Sequence, residues 1–271
     1  MSPDANRREW EARASTYGSS PAGVLFKDFP QAANAALHAW HTGIIEQRLL
    51  SKLPRGASVL DLGCGYGRIA TEIRKRRDDL RLVGQDISMS YCTEFAKRCG
   101  SVVQASLEAI PFAEGAFDAA IAITSLMYVD PARRGHALSG IGAALKDGGH
   151  VLLIDPGIEL QKLVSAARGK GMVAPSSGVG FARAEYARLA ENAGLEVCAS
   201  GGNPAFTRRI LLFGGRAART WQQRALEKSV AADLKCDRDP RLPLHRWALL
   251  RKSSRVACNP EIDSGQPFPL P

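Results

Sequence analysis

The run Val59-Leu60-Asp61-Leu62-Gly63-Cys64-Gly65-Tyr66-Gly67 constrains this chain more than any other stretch. An apolar strand ends at an acid and then breaks into three glycines at alternate positions. Glycine permits tight turns, positive φ and close backbone approach to a ligand. Arg68-Ile69-Ala70-Thr71-Glu72-Ile73 reads as the opening of a helix. The loop therefore sits at a strand-to-helix junction, where doubly wound α/β folds bind nucleotide-type ligands. A dinucleotide site would carry G-x-G-x-x-G and place a pyrophosphate on the helix N-terminus. Here the spacing is G-x-G-x-G, and Asp61 lies two residues before the first glycine. Its carboxylate would repel a pyrophosphate and suit a cation. The plain alternative is a tight strand–helix turn with no ligand.

S-adenosylmethionine is a ligand of the required kind, with a sulfonium, an ammonium group, a ribose and no phosphate. The loop resembles motif I of the class I methyltransferases that use this cofactor. Arg81-Leu82-Val83-Gly84-Gln85-Asp86 is a second short strand ending in an acid, 25 residues after Asp61. Such an acid accepts hydrogen bonds from ribose hydroxyls; its alternative role is an N-cap for the helix expected over Met89–Cys99. Pro111-Phe112, four residues, then Phe117-Asp118 is similar to the block that precedes strand four in small-molecule methyltransferases. The pattern departs at Ser106, where the family often has an acid touching the adenine amino group. A serine hydroxyl can accept that bond without charge assistance. The resemblance assigns cofactor contacts to Tyr17, Asp61, Gly63, Cys64, Gly65, Gly67, Asp86, Ile87, Ser106, Leu107 and Ile123.

The later elements follow in the same order. Val151–Asp155 reads as strand five after the turn Lys146-Asp147-Gly148-Gly149, with a helix over Arg134–Leu145 before it. A helix is expected over Phe181–Ala193, closed by Gly194. Leu195–Cys198 reads as strand six, Arg208–Leu234 as helical with a break at Gly214-Gly215, and His245–Leu250 as the last strand. The expected fold is α/β: a Rossmann-like, seven-stranded, mostly parallel sheet with helices on both faces and an N-terminal helical lid. The resemblance implies that the last strand runs antiparallel between strands five and six. Residues 1–50 are read as the lid, 51–258 as the methyltransferase domain and 259–271 as a disordered, proline-rich tail.

Composition bounds the setting. No apolar run approaches the roughly 18–20 residues of a membrane span, and the N-terminus lacks the apolar core of a signal peptide. The six cysteines form no C-x-x-C pair, so reduced thiols, a cytoplasmic location and no metal are expected. The net charge of +9 is concentrated between Thr207 and Arg255, with 13 Lys/Arg against four Asp/Glu. A basic stripe can serve nucleic acid, but interleaved Glu227, Asp233, Asp237 and Asp239 favour local pairing on a solvated surface.

Methyl transfer from a sulfonium is an in-line displacement with a good leaving group, so positioning and desolvation carry most of it. An acceptor hydroxyl would need help losing its proton. Candidate catalytic groups are Tyr128, which takes the place of a histidine common after strand four in the family, and His38 and His41, one turn apart. The aromatics Trp10, Tyr17, Phe26, Phe29 and Trp40 suit a cover, or simple core packing. Arg168, Lys170 and Arg183 could hold an anionic acceptor, or be surface charge. The resulting expectation is methyl transfer from S-adenosylmethionine to a small-molecule acceptor, anionic acceptors included, at O, N or C. Nucleic-acid or protein methylation is the alternative, and a non-catalytic cofactor-binding protein a third. Thr124-Ser125-Leu126-Met127-Tyr128 lacks the Pro-Pro of enzymes that methylate planar nitrogens, which argues against nucleic acid as a partner.

Overall fold

The computed structural model describes residues 3–26, 30–167, 178–213 and 220–253. Phe29, Arg168, Lys170, the Gly214-Gly215 break and the tail from Asn259 lie outside the described residues. Three helices come first: α1 (Pro3–Tyr17), α2 (Pro21–Val24) and α3 (Gln31–Arg48). Then β1 (Ser58–Leu62), α4 (Arg68–Arg76), β2 (Arg81–Asp86), α5 (Met89–Cys99), β3 (Val102–Gln104), β4 (Phe117–Ile123), α6 (Arg134–Ala144) and β5 (Leu145–Pro156) alternate. The chain continues through α7 (Ile158–Ala167), α8 (Glu185–Asn192), β6 (Leu195–Gly202), α9 (Pro204–Phe213), α10 (Thr220–Asp233) and β7 (His245–Lys252).

One seven-stranded sheet has the order β3-β2-β1-β4-β5-β7-β6. The first five strands are parallel, and β7 is antiparallel to both β5 and β6. Both faces are covered, so the central strands are apolar on both sides. Val59, Ile121, Leu152 and Trp247 bury against α3, α4, α5, α9 and α10 on one face. Leu60, Ala120, Leu153 and Leu250 bury against α6 and α8 on the other.

Several boundaries differ from the sequence reading. The Lys146–Gly149 turn forms a bulge within β5: Leu145 pairs with Phe117, and pairing resumes where His150 meets Ala119. Phe181 does not start a helix. It bridges Gly157 in parallel, under the Arg134 guanidinium 3.9 Å above its ring, and α8 begins at Glu185. The helical stretch expected over Arg208–Leu234 starts four residues earlier, at Pro204, and comprises α9 and α10. Among the described residues, no helix is long and apolar enough to cross a membrane.

Candidate cofactor and acceptor cleft

The glycine loop is tied to the sheet at both sides. The Gln85 carbonyl accepts the Gly63 N–H at 2.7 Å and the Cys64 N–H at 3.1 Å. Ser125, just after β4, donates its hydroxyl to the Leu62 carbonyl at 2.8 Å. Gly63 has φ +71°, and a Cβ there would stand 2.4 Å from the Ser125 Cβ. Only glycine meets both the left-handed backbone and the contact. Gly67 has another duty: it precedes α4, and a Cβ on it would meet Cys99 Sγ at 2.9 Å.

A cleft opens at the C-terminal edge of β1, β2 and β4, with Asp61, Gln85, Asp86, Ser106 and Ile123 among its lining. Asp61 is 2% exposed, and its Oδ2 has no hydrogen-bond partner in the protein. Burial pushes its carboxyl up to about 7; Arg68 opposes the shift and Asp86 adds to it. Asp86 accepts the Ser88 N–H at 2.9 Å and the Gly65 N–H at 2.8 Å. Burial raises it to about 6 against those two bonds. Two buried carboxyls, one of them unsatisfied, make poor neighbours for a phosphate and good ones for a cation with donor groups. S-adenosylmethionine fits this set: its ammonium group would meet Asp61, and its ribose hydroxyls the remaining lone pairs of Asp86.

The first two helices lie over this cleft. Glu11 of α1 accepts the Met89 N–H at 2.5 Å and the Ser90 N–H at 3.4 Å, capping the N-terminus of α5. Asn6 donates to the Tyr128 carbonyl at 3.1 Å, and Trp10 stands edge-on to the Tyr128 ring at 4.8 Å. Val24 of α2 approaches the glycine loop; a Cβ on Gly65 would touch it at 3.5 Å. Thus α1 joins the loop after β2 to the loop after β4, across the mouth of the cleft.

Of the residues singled out from sequence, Asp61, Gly63, Cys64, Gly65, Asp86, Ile87, Ser106, Leu107, Ile123 and Tyr128 line one cleft. Tyr17 and Gly67 are not in that lining. Burial raises the Tyr128 phenol, with Arg13 opposing, so at neutral pH it is a hydroxyl and not a base. His38 accepts a 2.7 Å bond from Arg68 at Nδ1. Burial and the Arg68 charge push it down to about 4. His41 is fully buried, its Nε2 2.8 Å from Nδ1 of His245, with the ring planes 2° apart. Burial holds both rings neutral, His245 near 3 and His41 well below its ordinary value. The two candidate histidines therefore sit behind Arg68, not in the cleft lining. Arg183 is 61% exposed, with its backbone N–H on Glu159.

Sequence reasoning passed over Asn6, Tyr66, Arg68, Gln85 and Tyr91, which also line the cleft. Tyr66 and Arg68 belong to the motif itself, and their adjacency to its glycines was the available signal. Tyr91 and Gln85 gave none, because one lies on an amphipathic helix and the other inside a strand.

The sheet order and the reversed strand β7, set between β5 and β6, are those of the class I methyltransferase fold. Similarity to solved structures agrees: geranyl diphosphate C-methyltransferase from Streptomyces coelicolor A3(2), in complex with Mg2+, geranyl diphosphate and S-adenosyl-L-homocysteine, superposes with a TM-score of 0.62 at 16% identity, over 92% of this chain and 97% of that one. Residues 59–149 match the family described as "Methyltransferase domain". That match covers about a third of the chain and marks a methyltransferase domain within a class I methyltransferase fold. Among curated relatives, O-methyltransferase resE of Aspergillus sclerotiorum is 33% identical over 108 residues, 37% of this chain and 40% of the relative. The chain thus matches less than half of that relative's length. The uncharacterized methyltransferase YdaC of Bacillus subtilis (strain 168) is 26% identical over 159 residues, 56% of this chain and 87% of the relative.

Proposed function

We propose that the chain transfers the methyl group of S-adenosylmethionine to a small-molecule acceptor, in a cleft covered by α1 and α2. The observation that carries this reading is the unpartnered, buried Asp61 carboxylate at the foot of the glycine loop. It calls for a cationic ligand where a dinucleotide fold would set a phosphate. When bound, the cofactor supplies an electrophilic methyl on a sulfonium.

The protein's part is placement. Asp61 holds the ammonium end and Asp86 the ribose, while the loop backbone between Gly63 and Gly65 allows close approach. Trp10 and Asn6 stand over the Tyr128 loop and keep water from the acceptor side, and the Tyr128 hydroxyl donates to orient the acceptor. His38 fixes Arg68, whose guanidinium borders the cleft and suits an acceptor carrying an anionic group.

A small acceptor is favoured over nucleic acid by how the basic region is used. Arg246 is buried between Asp239, at 2.6 Å, and Glu159, at 2.7 Å. Arg251 pairs with Glu196. Charges engaged in this way are poorly placed to release counterions from a phosphate backbone. The expected result is calorimetric binding of S-adenosylhomocysteine, and labelled methyl transfer to small hydroxylated or amine acceptors but not to mixed RNA. Absence of S-adenosylhomocysteine binding would sink the reading, and transfer to RNA that collapses with salt would replace the acceptor class.

A further inference from the structure

We propose that Gln85 recognises the exocyclic amino group of the cofactor's adenine through its side-chain carbonyl oxygen; this rests on the cleft being an S-adenosylmethionine site. Gln85 is fully buried, one residue before the end of β2, and it borders the cleft beside Ser106 and Leu107. Its amide orientation follows from chemistry. The Ser106 carbonyl, 2.9 Å away, can only accept, so the amide nitrogen faces it and the oxygen faces the other way. That oxygen has no partner in the protein. Buried polar atoms are nearly always satisfied, so an orphan bordering a cleft marks where a ligand donor belongs.

The cofactor's own donors decide which one. They are the ammonium group, the ribose hydroxyls and the adenine amino group. Asp61 has the unpartnered carboxylate for the charge, and Asp86 ends β2 on the face shared with α4 and α5. Side chains alternate along a strand, so Gln85 lies on the opposite face. Val83 and Leu107 pack there, beside the segment after β3. The amino group is the donor left for it.

Ser106 is less well placed for this duty, since its hydroxyl already accepts the Glu108 N–H at 3.2 Å. An amide oxygen also suits the electrostatics. Asp61 and Asp86 are already pushed toward protonation by burial, and the third carboxylate in the lining, Glu108, is engaged by Arg133 at 2.8 Å, which leaves the neutral amide for the amino group.

The test is calorimetry with S-adenosylhomocysteine and its purine analogue, which lacks only the amino group. Wild type should prefer the amino form about tenfold, the scale of one buried hydrogen bond. Gln85→Met, similar in volume and without an acceptor, should bind the two within about threefold. Ser106→Ala should keep the tenfold preference. Equal binding of both ligands by wild type, an undiminished preference in Gln85→Met, or its loss in Ser106→Ala would each overturn the assignment. Gln85→Leu takes the place of Gln85→Met if thermal melting shows the methionine variant unfolded. Failure of wild type to bind S-adenosylhomocysteine would instead remove the underlying reading of the cleft.

Discussion

Asp61 is a carboxyl kept partly protonated by its own burial and waiting for a counter-charge. A cation binds its ionised form, so cofactor affinity should rise with pH until the carboxyl, at about 7, is fully ionised. Calorimetry between pH 5 and 8 should show binding weakening by up to about tenfold per unit below 7, with proton release. Asp61→Asn should bind weakly and without that slope; a flat wild-type profile would refute the pairing. Gly63 carries a different burden, since its missing Cβ leaves room for Ser125. Gly63→Ala should lower stability by about 1–3 kcal/mol in denaturant titrations, an overpacking cost, and reduce cofactor affinity at least tenfold.

At the scale of elements, α1 acts as a strap between two loops. Glu11→Ala removes the acceptor of the Met89 and Ser90 N–H groups, leaving α5 with its Ser88 cap alone, and should cost about 1 kcal/mol. It should also speed protease cleavage within α1; unchanged cleavage would mean that Glu11 does not hold the helix down. Trp10→Ala should cut turnover with little change in S-adenosylhomocysteine affinity, as expected if the ring serves the acceptor side. Element by element, the sequence was most legible where structure is local. The helix over Met89–Cys99 and the strand Arg81–Asp86 were read to the residue, because one has helical apolar spacing and the other a short apolar run between turns. Phe181 was misread because Arg134, distant in sequence, holds its ring and the Val179 and Gly180 carbonyls. Within the cleft the loop glycines and acids announced themselves. Tyr17 and His41 did not find the expected place, since a sequence does not say which face of a helix meets the site.

For the whole molecule, buried ionisable groups set opposing pH responses. The buried acids Asp61, Asp86, Asp155 and Asp233 sit at about 6–7, above their ordinary 3.8. They remain protonated when the unfolded chain has ionised, so their contribution to stability is lost as pH rises from about 4 to 7. His38, at about 4, and His245, at about 3, lie below their ordinary 6.5, and His41 lies lower than its own. Their contribution is lost as pH falls below about 6.5, because the unfolded chain then takes up protons first. The two slopes oppose each other between pH 4 and 6.5, and the melting temperature of the ligand-free protein should vary little there. Adding S-adenosylhomocysteine should raise the melting temperature more at pH 8 than at pH 5.5, since ligand binding draws Asp61 to its ionised form. An equal rise at both would contradict the assignment of that carboxylate.

The position of β7 has a consequence for how the protein is made. The strand lies between β5 and β6 yet comes last among the strands, so it reaches the sheet after every other strand has been synthesised. Until His245–Lys252 leaves the ribosome, β5 and β6 each keep a bare edge where the nascent chain can be captured by another copy. A premature stop between residues 203 and 244 spares the glycine loop and both of its acids. Its product is nonetheless an aggregating chain with two open edges, and not a smaller enzyme.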